Sequence, residues 1–321
     1  MRTIFAVASV ITLLASQQSA DRVQALTFRF QNNFWVNLHH LVRGEARRAS
    51  LKLPLVVPLE SLQPDERAAW SNALTAYKDL ATKNLIFDRH LVAIDNALAG
   101  LATSDVPAGL VDEPIRRALN LAAPVYRLHG WIEQQHTNDA WITTLRPQVE
   151  RHGAAMAAAL AAAYHASWLP GPIVVDACEE AGPNDAYTTA GPPGTAGHTV
   201  VAVRSPANTG DAGVETIFHE ASHTIDDRIA RPFVEEAARQ HLAFPDGLDH
   251  AILFYTTGEI MRREFARTGR PDYVPYGDRF DVYKNGWQTF RDALGRDWLP
   301  YLEGKAQFDA AVTAVVRDTA R

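Results

Sequence analysis

His219, Glu220 and His223 stand in the order His-Glu-x-x-His within the segment 214–227. On an α-helix each residue turns about 100°, so residues four apart share a face. Two imidazoles placed that way can reach one ion at about 2.0–2.1 Å, the usual zinc–nitrogen distance. Glu220 follows the first histidine and leans towards the open side of such an ion. There it could take a proton from a metal-bound water whose pKa is lowered to about 7. The spacing thus places two ligands and one base on a single helix, which is the equipment for hydrolysis at a carbonyl. The bland alternative is two surface histidines beside a solvated acid.

The helix that must carry these residues is legible around them. Val214, Ile217, Phe218, Ala221, Ile225 and Ile229 make one apolar stripe, with the histidines on the other side. Short β-branched stretches at 173–178, 186–189 and 199–203 precede it, separated by Gly- and Pro-rich loops. The last of these is expected to be an edge strand able to pair with an extended peptide. Helical periodicity dominates elsewhere, at 33–48, 64–81 and 87–99, and with interruptions from 112 to 166. It returns at 233–240, 250–267, 285–294 and 303–317. The expected fold is mainly α with a small β-sheet (α+β). A helical region over 21–169 would be followed by a metallohydrolase region over 170–321, with the boundary near Pro170–Pro172. No internal repeat is evident.

The motif and its setting resemble the zincin metallopeptidases. The motif spans five residues, and the order of sheet, motif helix and later helices extends the resemblance over roughly 170–270. It implies zinc as the cofactor, His219 and His223 as ligands, and Glu220 as general base. A catalytic zinc of this kind needs a third protein ligand. The metzincin position, six residues after His223, is Ile229, and Asp226 stands where that branch has glycine, so that branch is excluded. At the short gluzincin spacing stand Leu242 and Ala243, which cannot bind. The expectation is a gluzincin-like site with a more distant glutamate, Glu259, while His250, Glu235, Glu236 and His241 stay open. Glu259 is a charge on an otherwise apolar helix, and the small Thr257 and Gly258 would allow close approach to the motif helix. Tyr255, His250 and Tyr276 are candidate donors to the oxyanion of a tetrahedral intermediate. Glu215, Asp226 and Asp227 are candidates to orient an imidazole.

Composition narrows the alternatives. The 321 residues are 47% hydrophobic and 21% charged, an ordinary globular balance. With 31 Lys and Arg against 37 Asp and Glu, the net charge of −6 gives no basic excess for nucleic-acid binding. The first 20 residues carry Arg2, then an apolar run over 4–14, then small polar residues, in the order of a secretory signal peptide. That run is too short for a membrane span, so an exported chain, periplasmic or secreted, is expected without a stable span in its mature form. The single Cys178 permits no internal disulfide. It lies upstream of the motif, as the ligand cysteine of peptide deformylases does, but in Asp-Ala-Cys-Glu-Glu rather than that family's Glu-Gly-Cys-Leu-Ser, so it reads as a buried hydrophobe. His39-His40 reads as a packing and surface pair, and Arg43, Arg47 and Arg48 as a solvated helix face. No Gly-x-Ser-x-Gly is present. The expected function is a zinc metallopeptidase acting on peptide or protein substrates. The alternatives are a zinc hydrolase of non-peptide amides or esters and a non-catalytic zinc-binding envelope or matrix protein.

Overall fold

The computed structural model describes residues 25–182 and 185–320. The proposed leader lies outside these residues. The chain is mainly helical with one small sheet, the α+β class expected from its periodicities. The four strands are β1 (Phe28–Gln31), β2 (Ile173–Cys178), β3 (Ala186–Thr189) and β4 (Gly197–Ala202), in the spatial order β1-β2-β4-β3. β1, β2 and β4 run parallel, and β3 pairs antiparallel with β4. The register places Val175 beside Thr199 and Thr188 beside Thr199.

Twelve α-helices are found among the described residues. They are α1 (Phe34–Ser50), α2 (Pro64–Ala76), α3 (Arg89–Ala99), α4 (Glu113–Tyr126), α5 (Ile132–Tyr164), α6 (Gly210–His223), α7 (Asp226–Arg239), α8 (Leu248–Arg267), α9 (Tyr276–Arg279), α10 (Gln288–Ala293), α11 (Leu299–Leu302) and α12 (Phe308–Thr319). Local chemistry sets several starts. The Asn33 side chain caps α1 by accepting from the amides of Trp35 and Val36. Pro64 opens α2, and Glu66 reaches back to the Gln63 amide. Asp88 caps α3 in the same manner as Asn33.

The sheet is buried on both faces, which is why β2 and β4 read as nearly continuous apolar runs. Ile173, Val175, Ala177 and Val201 join one core with α5, α6, α8 and α12. Cys178, Tyr187, Val200 and Ala202 join a second core with α1 to α4. The sheet therefore stands between two helical layers. β1 precedes the Pro170–Pro172 loop in sequence yet pairs with β2, and α5 packs into the core of the residues that follow it.

Two expectations change here. The 199–203 stretch is not an edge, because β4 is paired with β2 on one side and β3 on the other. The sheet edge near the motif helix is β3. The motif helix does not continue to Ile229 either. It ends at His223, where the Thr224 hydroxyl donates to the Ala221 carbonyl and Ile225 leaves helical geometry. The stripe resumes on α7 at a new angle, with Asp226 and Asp227 in its first turn.

Candidate functional site

Helix α6 lays Val214, Ile217, Phe218 and Ala221 into the core against the sheet, which fixes its rotation. His219 and His223 then emerge together at its C-terminal end. Helix α8 supplies the third group from its first turn: His250. The Nε2 atoms of His219 and His250 lie 3.2 Å apart, as do those of His223 and His219. Among the described residues this trio alone forms a group of three or more metal-ligating side chains with converging ligand atoms, all within 4.8 Å of one another.

The local sequence explains why His250 reaches this point. Gly247 starts α8 in a left-handed conformation (φ 78°), and a Cβ there would lie 2.8 Å from the Trp287 ring. Only glycine meets both demands easily. Trp287 in turn packs edge-on against His250. Phe254, one turn further along α8, stacks on His219 at 4.0 Å between centroids and on His250 at 4.8 Å. The aromatic face holds two of the three imidazoles nearly parallel.

The protonation states of two of the three rings suit a cation. Burial holds His219 well below the usual imidazole range, with His223 and His250 adding to the effect. Burial likewise lowers His250 to about 4. His223 is held above its ordinary value: burial opposes this, but Asp226, 3.8 Å from Nδ1, and Glu220 outweigh it. The His219 Nδ1 is buried without a partner. One imidazole Nε2 carries one lone pair or one proton, so His219 cannot serve two neighbouring ring nitrogens at once by hydrogen bonding. A single ion between the rings can. The edge of a tetrahedron with zinc–nitrogen bonds of 2.0–2.1 Å is about 3.3 Å, close to the separations seen. The residues fit a tetrahedral metal with three imidazole ligands and a fourth position left open.

Glu220 is buried beside this trio. Its carboxylate accepts from the Thr188 hydroxyl at 2.7 Å, and Thr188 also bonds Thr199 across the β3–β4 pair. Burial raises the Glu220 pKa against the opposing pulls of His223 and Thr188. The edge strand and the carboxylate beside the three histidines are therefore one construction: Thr188 on β3 touches Glu220 on α6.

Glu259 is not at the site. Nine residues separate it from His250 on α8, which is about 13.5 Å of rise and half a turn of phase. Its carboxylate is instead held by Arg262 at 2.7 and 2.8 Å and by Arg263 at 2.7 Å. Burial alone would raise its pKa, but these two guanidinium groups hold it below the ordinary value. Tyr255 does share a face with Glu259, as its spacing implied, and lines the same cavity with Arg291. Its ring faces the Arg291 guanidinium, 5.7 Å from the centroid. Glu235 and His241 are exposed, and Glu236 pairs with Arg239 and Gln240. Cys178 is fully buried in the second core, and burial pushes its thiol well up.

Tyr276 is the better placed of the two tyrosines. Its ring stacks with Phe254, 5.8 Å between centroids, and burial, with the charges of Asp185 and Glu220, pushes its hydroxyl up to about 12. Glu215 anchors the loop before it, accepting from the Tyr273 hydroxyl at 2.5 Å and the Tyr276 amide at 3.0 Å. Glu215 thus positions a loop and does not orient an imidazole. Asp226 lies near His223, while Asp227 is exposed. Thr188 and Phe254 were not singled out from sequence. Phe254 stands four residues after His250, which is a signal for a shared face only once His250 is placed beside His219 and His223.

Set against known proteins, the chain matches no family model, no curated protein and no solved structure.

Proposed function

We propose that the chain is a zinc-dependent metallopeptidase of zincin type whose three protein ligands are His219, His223 and His250. The observation that carries this reading is the convergence of three Nε2 atoms beside a buried glutamate on the same helix. Three imidazoles suit zinc, and three protein ligands with an open fourth position mark a catalytic rather than a structural zinc site. A zinc ion there would supply a Lewis acid for the substrate carbonyl and acidify water at neutral pH. Glu220 is then the base that takes the proton of the attacking water and returns it to the leaving amine. Thr188 fixes its carboxylate for that transfer. Tyr276 is the hydroxyl donor towards the oxyanion. Export by the N-terminal leader belongs to the same proposal.

A peptide substrate is favoured by β3. It is the sheet edge nearest Glu220 and, among the described residues, is paired only with β4. An extended chain adding to it would pass its carbonyls in front of the histidines. The test is hydrolysis of unfolded casein and of a fluorogenic peptide set by the zinc-loaded protein beside Glu220→Gln. Cleavage by wild type, and retained zinc without cleavage in the variant, is expected. Undiminished cleavage by Glu220→Gln overturns the base assignment. Turnover of small amides or esters without any peptide cleavage moves the reading to a non-peptide hydrolase.

A further inference from the structure

The opposite face of the sheet carries a second feature, unconnected with the histidines. Arg43 on α1 is not solvated, as its neighbours in sequence suggested, but only 5% exposed. Its guanidinium donates to the Lys83 carbonyl, its Nε is buried without a partner, and no carboxylate pairs with it among the described residues. The acids around it are already engaged. Asp95 accepts from Tyr187 and faces His40. Glu45 accepts from the amides of Val56 and Val57, and Glu180 holds Arg48. A buried cation normally has a counter-charge.

Arg43 lines a cavity of about 420 Å³, a size that suits a small ligand. Arg47 and Lys83 stand at the same cavity, and its lining contains no Asp or Glu. Neither forms an ion pair among the described residues, and both are exposed. The remaining wall is largely apolar, with Leu51, Leu85 and Ile86. Three basic side chains and an apolar wall line one hollow that has no acid in its lining, which suits an amphipathic anion.

We propose that this cavity binds a small organic carboxylate with a short hydrocarbon body. Arg43 would receive the carboxylate through its planar fork, Arg47 and Lys83 would add charge at the mouth, and the hydrocarbon would lie against Leu51, Leu85 and Ile86. The site is separate from the proposed zinc centre and stands or falls independently of it.

Calorimetric titration of the full chain with hexanoate, inorganic phosphate, hexanol and hexylamine tests this. Saturable binding of hexanoate is expected, with phosphate weaker by about tenfold or more and no binding of hexanol or hexylamine. Arg43→Met should weaken hexanoate at least about tenfold, and the double variant of exposed residues, Arg47→Gln with Lys83→Gln, by about three- to tenfold. Should Arg43→Met fail to fold, the double variant decides alone. No saturation by about 10 mM hexanoate, unchanged affinity in the double variant, or phosphate binding as tightly as hexanoate would each overturn the assignment.

Discussion

Replacing Gly258 by alanine should disable the proposed site without touching a ligand. Gly258 lies on α8, where the loop bearing Tyr276 crosses over it. A Cβ at this position would stand 2.7 Å from Pro275 Cβ and 3.1 Å from Glu215 Oε1. Carbon atoms in ordinary contact sit about 3.5–4.0 Å apart, so the loop must withdraw by about 1 Å. That movement pulls Tyr276 away and stretches the bonds from Glu215 to Tyr273 and Tyr276. Overpacking of this kind costs about 1–3 kcal/mol. Alanine returns about 1 kcal/mol of helix propensity, leaving a net loss of about 0–2 kcal/mol in stability. Activity should suffer more, because a displacement of about 1 Å can cost about a hundredfold in rate. The assay is thermal unfolding, zinc content and peptide hydrolysis on one preparation. The expected result is a small fall in Tm, full zinc and a drop in kcat of about two orders of magnitude. Unchanged kcat would refute the role given to the Tyr276 loop, and lost zinc would show that the loop supports the ligands instead.

Glu215 gives a pH test. Burial raises it from 4.5 to about 7, against the hydrogen bonds from Tyr273 and Tyr276. Between those two values the folded chain holds a proton that the unfolded chain has lost, so stability falls as pH rises through that window. At pH 8 the penalty is about 3 kcal/mol, and Glu215→Gln should remove that part of the slope in urea unfolding between about pH 5 and pH 8. Parallel slopes for both proteins would contradict it. Cys178 is fully buried with its thiol pushed up, so a thiol reagent such as DTNB should react only after denaturation. Rapid labelling of the native chain would show that the second core opens. Expression with the leader should yield an exported chain beginning near Asp21, read by N-terminal sequencing, and an intact Met1 terminus would count against the signal peptide.

Much of the site's near half was written in the spacing. Residues four apart on a helix must share a face, so His219 and His223 converge wherever that helix goes, and Glu220 comes with them. The strands 173–178 and 186–189 were likewise legible, because β-branched runs bounded by Gly and Pro leave little else to form. The third histidine of the cluster was not. Glu259 and His250 both sit on α8, and helical periodicity says only that they face opposite ways. Which side meets α6 depends on the Gly247 turn and on Trp287, contacts made across the fold. The two arginines at i+3 and i+4 from Glu259 were the local hint that its charge was already satisfied. The strand order escaped for the same reason: the run 197–202 looks alike at an edge or in the middle, and only the antiparallel return of β3 decides. Arg43 escaped because α1 is buried on nearly its whole circumference, so a basic stretch that reads as solvated was carried inside.

The central claim is that the metal is held by three histidines. Zinc affinity measured by competition with a chelator, for wild type, His250→Ala and Glu259→Ala together, tests it most directly. About one zinc per wild-type chain, wild-type affinity in Glu259→Ala, and a loss beyond about a hundredfold in His250→Ala are expected, the last more than removal of an outer partner causes. Wild-type affinity in His250→Ala, or a collapse of affinity in Glu259→Ala, would contradict it.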